Sequence, residues 1–352
     1  MSGTDRTIEV GVLGATGMVG QQFIALLEGH PWFDLVWLGA SERSAGRPYG
    51  EAASWKLSSP VPDAVRDRRV DPSAPGKAPQ LVFSALDASV AGEIEQAFAA
   101  AGHTVVSNSR NHRMDPTVPL LVPEVNADHL GLLSHQASQR SWTGAIVTNP
   151  NCSTVVMTMV LAPLRAFDLQ QVIVVTEQAV SGAGYPGVPS MDILGNVVPY
   201  IAGEEAKMET ESRKILGELR DGAVTPHEVI VSAQTTRVPV VDGHTEMLSI
   251  RLGDDPEPEA LVEALARYTG RPQELGLPSA PARPIVPLRE PDRPQPRLDA
   301  HRDRGMAVTV GRVRRCPVLG HKLVALGHNT VRGAAGGAIL NAELMVAEGL
   351  VT

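Results

Sequence analysis

The sequence predicts an α/β protein of two parts: a doubly wound parallel sheet, then an α+β unit with a mostly antiparallel or mixed sheet. Three observations predict it. An apolar strand runs through a glycine-spaced turn into a helix near the start; strands then alternate with helices to about residue 150; beyond Cys152 the pattern becomes β-rich with irregular connections. A chain of 352 residues exceeds one typical core, which fits two parts.

Ile8 to Leu13 reads as a buried strand, Gly14-Ala15-Thr16-Gly17-Met18-Val19-Gly20 as a turn, and Gln21 to Glu28 as a helix. This GxxGxxG spacing is a variant of the dinucleotide fingerprint of Rossmann-type sheets. Gly14 allows the tight turn, Gly17 the approach of a pyrophosphate, and Gly20 the packing of helix on strand, with the helix N-terminus facing the phosphates. Gly14, Thr16, Gly17, Met18 and Val19 are therefore candidate cofactor residues. The second strand, Asp34 to Leu38, leads into Gly39-Ala40-Ser41-Glu42-Arg43-Ser44-Ala45-Gly46-Arg47. An NAD site usually has an acidic residue here for the ribose hydroxyls. Ser41, Arg43 and Ser44 suit the 2′-phosphate of NADP better, while Glu42 remains compatible with a ribose contact or an ion pair with Arg43.

Residues 50–78 are polar and proline-rich, which predicts a loop with one short edge strand. Leu81 to Leu86 is a third buried strand whose end, with Ser84 and Leu86, is expected beside the cofactor. Ser89 to Ala101 reads as a helix and Thr104 to Ser107 as a strand. The polar, cationic run from Ser107 to Met114 follows at a strand's C-terminal end, where ligands bind in such sheets.

The turn Thr148-Asn149-Pro150-Asn151-Cys152 lies between a β-like run, Ala145 to Thr148, and a helix-like run, Ser153 to Leu164. Asn-Pro-Asn is strong turn chemistry, and Asn151 is an N-cap candidate. A thiol at a helix start meets the positive end of the dipole and unpaired N–H groups. Cys152 is therefore expected to favour the thiolate, the form that attacks carbonyl carbon.

Val172 to Ala179 is a strand, followed by a mobile glycine loop, Val180 to Gly187, in which Ser181 and Gly182 are counted with the cofactor residues. Glu204 to Leu216 is a charged helix, for which a solvated face is the bland alternative. Val229 to Val241 and Glu246 to Leu252 are β-rich, with Arg237 and His244 within and between them. Residues 256–269 look helical, and the proline-rich stretch 271–304 should be a long extended connection. Ala307 to Arg314 and Lys322 to Leu326 are strands, and Asn329 begins a last helix expected to return to the first part. The division is thus 1–150, completed by 329–352, and 151–328.

Net charge of −8 argues against nucleic acid as a partner. Two cysteines make no disulfide framework, which fits a reducing cytoplasm. The opening MSGTDRT is polar without the apolar core of a secretion signal, and no run of apolar residues suits a membrane span. His103, His112, His129 and His227 show no metal-ligand spacing and are expected at the surface, so no metal is expected. Cys316 has no candidate base beside it and reads as structural.

GATGMVG, SNSRNHRM, TNPNCST, EQAVSGAGYPG, GEEAKMETESRKIL, RVPVVDGHTE and GHNTVRGAAGGAIL stand in one order along the chain. The set resembles the archaeal and fungal branch of the aspartate-β-semialdehyde dehydrogenase family over nearly the whole length. The resemblance implies reduction of aspartyl-4-phosphate by NADPH to aspartate semialdehyde and phosphate, in at least a dimer (homodimer or homotetramer) built through the second part. It implies Cys152 as nucleophile forming a thioester, Gln178 as the residue orienting the intermediate, and His244 as acid/base at the collapse of the thiohemiacetal. It further implies Arg237 for the substrate carboxylate, Glu205 for its ammonium, Lys207 for phosphate, Arg110 and Asn111 in the phosphate-binding segment, and Asn329 at the nicotinamide end. Glu205 and Lys207 are too close in sequence to share a face of a regular helix, so an irregular turn is assumed.

Two other functions remain open on these residues. Malonyl-CoA reductase uses the same thioester chemistry. A catalytically silent NADP-binding regulator would need none of Cys152, Gln178, Arg237 and His244.

Overall fold

The computed structural model describes residues 7–140 and 142–351; the first six residues of the polar opening lie outside the described residues. β1 (Ile8–Leu13) passes through the glycine turn into α1 (Met18–Leu27), and β2 (Phe33–Ala40) follows. The stretch expected as a loop also holds two one-turn helices, α2 (Tyr49–Ala52) and α3 (Asp63–Arg66), before the edge strand β3 (Asp71–Pro72). Pro48 and Pro62 stand at their N-caps, where the missing N–H leaves no ladder bond unmade.

β4 (Leu81–Ser84), α4 (Ala88–Ala100), β5 (Thr104–Ser107), α5 (Pro123–Asn126), α6 (Leu132–Arg140) and β6 (Ala145–Thr148) complete the first sheet's half. Every ladder is parallel, in the order β3-β2-β1-β4-β5-β6. The winding reverses between β1 and β4, so a crevice opens there at the carboxyl ends of the strands.

α7 (Cys152–Leu164) begins the second half, and Ser153 to Leu164 are all buried, as a helix apolar on every side requires. β7 (Leu169–Gln178), α8 (Ser190–Ile193), α9 (Glu204–Ile215) and the small hairpin β8 (Glu218–Arg220) and β9 (Ala223–Thr225) follow. β10 (Ile230–Arg237), β11 (His244–Leu252) and α10 (Pro258–Arg267) come next. The proline-rich stretch is not simply extended. It folds as α11 (Arg271–Leu275), β12 (Ile285–Pro287) and α12 (Pro296–Asp299), with prolines in the first turn of both helices, where they fit without strain. β13 (Val308–Cys316) and β14 (Gly320–Gly327) close a mixed sheet in the order β10-β7-β11-β14-β13-β12. Its outer pairs, β10 with β7 and β12 with β13, are parallel, and the rest are antiparallel.

The last helix does not begin at Asn329. A π-helical turn, Val331–Ala335, precedes α13 (Gly336–Ala347). The wider turn brings Gly333 against Cys152, where a Cβ would lie 2.7 Å from the cysteine Cβ. Ala338, Ile339, Leu340 and Leu344 of α13 share one core with Val10, Val12, Phe23, Leu38 and Phe83. A second core packs Met157, Val160 and Leu161 of α7 against Val174, Leu248 and Val310 of the mixed sheet. Each large side chain buried in this way stabilises by about 1.5–3 kcal/mol.

Candidate active site

The three glycines of the first turn differ in what they need. Gly14 has φ of +72°, and a Cβ there would lie 2.6 Å from the Ala85 carbonyl oxygen. A Cβ on Gly20 would lie 2.3 Å from the Gly14 carbonyl oxygen. Both are therefore set by packing within the protein. Gly17 has ordinary φ, and a Cβ there would meet only the Gly14 carbonyl oxygen at 3.4 Å. It caps α1 with no side-chain bond, so the first-turn N–H groups face open space over a residue without a side chain. That cradle fits a pyrophosphate. Thr16, Met18 and Val19 are half-buried around it. Tyr49 Oη donates to the Ala15 carbonyl at 2.9 Å and Gln21 Nε2 to that of Thr16 at 3.0 Å, holding the turn from behind.

Beyond β2, Ser41, Glu42 and Arg43 are exposed, whereas Ser44 is buried in its own turn. Ser84 faces away from the crevice: its hydroxyl donates to buried Glu95 at 2.6 Å. Leu86 stays half-buried beside the turn, with its backbone nitrogen 3.2 Å from where a Gly14 Cβ would be.

Asn151 caps α7 as the sequence predicts, its Oδ1 accepting from the N–H groups of Ser153 and Thr154 at 3.1 Å each. Its Nδ2 donates to Glu204 Oε1 at 2.6 Å, and its backbone N–H to Glu211 Oε2 at 2.7 Å. Cys152 Sγ lies 3.2 Å from His244 Nε2. The expected acidic thiol is not found. Burial pushes the Cys152 thiol up to about 12, and the Glu204 carboxylate pushes the same way against Arg113, Arg237 and the Ser153 N–H. Asn151 Oδ1 shares the first-turn N–H groups of this helix, and the Ser153 N–H that acts on sulfur is outweighed by burial. The other thiol, Cys316, is buried and held below its ordinary range by the Leu319 and Val318 N–H groups.

His244 opens β11 and is fully buried. Burial first, then the Arg237 charge, lowers its imidazole to about 3. Nδ1 accepts from the Ala179 N–H at 3.1 Å, which leaves the ring proton on Nε2, toward sulfur, and a hydrogen bond with the Gly243 backbone favours the charged ring. Arg237 ends β10 and donates to the Ala179 carbonyl at 2.7 Å. It is paired in register with Gln178, the buried last residue of β7, whose Nε2 donates to Thr176 Oγ1 at 3.2 Å. Gly182 abuts these residues: a Cβ there would lie 2.9 Å from Arg237 Nη1 and 3.2 Å from His244 Cε1. Asn329 bridges Ser181 Oγ at 2.8 Å and the Gly243 N–H at 2.9 Å, so Ser181 and Asn329 stand beside the histidine strand.

α9 is not a solvated face, and its geometry sends its first two glutamates in different directions. Glu205 turns to β10, accepting from the Thr235 N–H at 3.0 Å. Glu204 is the buried acid beside Asn151 and pairs with Lys207 at 3.1 Å, at i,i+3 on a regular helix. No irregular turn is needed. Further along α9, Glu211 holds Arg113 at 2.9 Å, and buried Lys214 donates to the carbonyls of Arg113, Asp115 and Val118 at 2.7–2.8 Å. The helix thus clamps the polar run after β5 against the cysteine turn. Arg110 and Asn111 are exposed, and Asn111 is engaged with Ser109 and the Ala88 carbonyl. Arg113, in the same run, is the arginine whose charge reaches Cys152.

The sequence reading also missed Glu246. It shares a face of β11 with His244, is fully buried, and neither carboxyl oxygen has a hydrogen-bond partner among the described residues. Burial first, then the Glu204 charge, holds it well above the usual carboxylate range. Period-two spacing from His244 is the signal that would have found it. His103, His112 and His129, expected at the surface, are buried; His103 Nδ1 lies 2.9 Å from the Pro79 carbonyl oxygen, and His129 Nδ1 2.9 Å from Asn126 Nδ2. His227 is half-buried.

Two family models match the chain: "Semialdehyde dehydrogenase, NAD binding domain" over residues 9–133 and "Semialdehyde dehydrogenase, dimerisation domain" over residues 161–332. The aspartate-semialdehyde dehydrogenase of Methanothermobacter thermautotrophicus is 54% identical, covering 96% of this chain and 99% of the relative. That of Cryptococcus neoformans is 52% identical, covering 98% of each. The crystal structure of aspartate semialdehyde dehydrogenase with NADP from Candida albicans superposes with a TM-score of 0.91 at 44% identity, covering 98% of this chain and 100% of that one.

Proposed function

The chain belongs to the aspartate-semialdehyde dehydrogenase family, and from that premise we propose that it converts L-aspartyl-4-phosphate, with NADPH, to L-aspartate-4-semialdehyde and phosphate through a thioester on Cys152. The observation that carries this reading is the 3.2 Å approach of Cys152 Sγ to His244 Nε2 beside Arg237 and Glu204. A thiol, an imidazole, a guanidinium and a carboxylate together suit a small amino acid with an activated side-chain acyl group.

In this reading Arg237 grips the α-carboxylate bidentately and Glu204 takes the α-ammonium. The Arg237 charge depresses His244 in the free protein, so a substrate carboxylate on Arg237 offsets that charge and makes the imidazole more basic. Cys152 Sγ then bonds to the acyl carbon as the bond from that carbon to the phosphate oxygen breaks. The thiol proton passes to His244, whose charged ring the Gly243 backbone hydrogen bond favours. Lys207 and Arg113 receive the phosphate, and Gln178 orients the acyl group.

NADP would lie along Gly14, Thr16, Gly17, Met18 and Val19, with Ser41 and Arg43 at its 2′-phosphate and Ser181 and Asn329 toward the nicotinamide. When bound in reduced form it supplies hydride to the thioester carbon. His244 returns its proton to Sγ as the carbon–sulfur bond breaks and the aldehyde leaves.

We assign residues 1–150 with 329–352 to the cofactor, and 151–328 to catalysis and subunit contact. Exposed Met191, Leu194 and Tyr200 (87%, 71% and 65% accessible) support assembly of a homodimer or homotetramer through the second unit. Two free thiols support a reducing cytoplasm as its place. No helix among the described residues is long and apolar enough to cross a membrane.

The test is phosphate-dependent formation of NADPH from aspartate semialdehyde, run beside oxidation of NADPH by malonyl-CoA. The first should proceed and the second should not; the reverse would overturn the substrate assignment.

A further inference from the structure

Asp242, His301 and His328 come from three separate places in the chain: the loop before β11, the residues after α12, and the end of β14. Their ligand-type atoms all lie within 4.8 Å of one another. The two imidazole rings meet edge to face, 4.8 Å between centroids and 70° apart. His328 is buried, Asp242 half-buried and His301 exposed, so the cluster has a closed floor and an open side. Among the described residues, Thr330 Oγ1, 3.4 Å from His328 Nδ1, is the one polar side chain outside the trio hydrogen-bonded to these imidazoles, and the Asp242 carboxylate has no ion-pair partner.

We propose that Asp242, His301 and His328 form a site for a divalent first-row metal, zinc by preference, beside the catalytic residues and separate from them. Two imidazoles and one carboxylate make a borderline donor set that suits zinc, whereas magnesium and calcium prefer oxygen alone. Bonds of about 2.0–2.2 Å leave a fourth, tetrahedral position for water and require ligand atoms roughly 3.4 Å apart. Rotation of exposed His301 and a small shift of the half-buried Asp242 side chain would supply that closure.

The site's position gives it a consequence. Asp242 precedes Gly243, whose N–H donates to Asn329 Oδ1 at 2.9 Å, and His328 precedes Asn329. His244 pairs with Gly327 across β11 and β14. A metal held by these three side chains therefore ties the segment after α12 to the two strand ends that carry His244 and Asn329, and stiffens them. No step of the proposed reaction passes through it.

Cys152 and His244 together would also bind zinc, so the experiment removes the thiol first. Metal-stripped full-length Cys152→Ser is titrated with Co²⁺ and with Zn²⁺, with and without the added change His301→Ala. One equivalent of metal by dialysis, visible cobalt bands without a sulfur charge-transfer band, and a rise in Tm with zinc but not with magnesium are expected. His301→Ala, at an exposed position, should leave the metal-free Tm unchanged and weaken binding by at least about tenfold, a loss of about 1.4 kcal/mol. Absence of stoichiometric binding in Cys152→Ser, or equal affinity with and without His301, would overturn the proposal.

Discussion

Glu204 Oε1 accepts a hydrogen bond from Asn151 Nδ2 at 2.6 Å, so the cap of the nucleophile's helix and the acidic end of α9 act as one unit. Glu204 also raises the Cys152 thiol and pairs with Lys207. Glu204→Gln should lower kcat/KM for aspartate semialdehyde by at least about tenfold, the effect of losing one charge-assisted bond. It should also move the onset of Cys152 alkylation to lower pH. Glu205→Gln should leave both nearly unchanged, because that side chain serves the Thr235 N–H. The opposite ranking of the two variants would return the ammonium to Glu205.

Cys152, half-exposed to solvent, should react as an un-ionised thiol in the free enzyme. With the thiol at about 12 and His244 at about 3, both partners are neutral at physiological pH. The rate of alkylation should climb with pH beyond about 9 without an earlier plateau. A plateau near neutrality would reveal a thiolate–imidazolium pair and sink this reading. Cys152→Ser should abolish turnover and still bind NADP.

His244→Asn should lower kcat by about 10²–10⁴, the usual contribution of a positioned acid/base, and change KM little. A loss confined to KM would make His244 a substrate-binding group.

Arg43 is exposed at the end of β2, where a 2′-phosphate would lie. Arg43→Ala should lower kcat/KM with NADP by about tenfold or more and leave that with NAD unchanged. An equal fall with both cofactors would show that Arg43 serves the fold and not the phosphate.

Glu246 is buried with no hydrogen-bond partner among the described residues, and burial raises its carboxyl well above the ordinary range in the folded protein. Its folded pKa lies above its unfolded value. The stability it allows is thus full below the unfolded pKa, near 4.5, and is lost as pH rises toward the folded value. Glu246→Gln removes that loss. Its Tm should match wild type near pH 4.5 and exceed it at pH 8. Equal Tm differences at both pH values would contradict a protonated Glu246.

The sequence alone determined what local chemistry controls. The strand–glycine turn–helix at Gly14 to Gly20, the alternation that makes a parallel sheet, the Asn151 cap and the cysteine turn all follow from backbone freedom, apolar spacing and capping within a few residues. Tertiary structure decided which polar groups meet and how they ionise. Spacing sets Glu204, three residues before Lys207, on its face of α9, but only the packing turns that face to Asn151 and Glu205 to β10. Spacing could not separate Arg113 from Arg110, since Glu211 and Lys214 hold that run from a distant helix. The thiol expected to be acidic is weakly acidic because burial and a neighbouring carboxylate outweigh a helix end already capped. Asp242, His301 and His328 meet only because β11, β14 and the segment after α12 end at one place. Desolvation and charge proximity are properties of the packed molecule, and no local pattern in the chain encodes them.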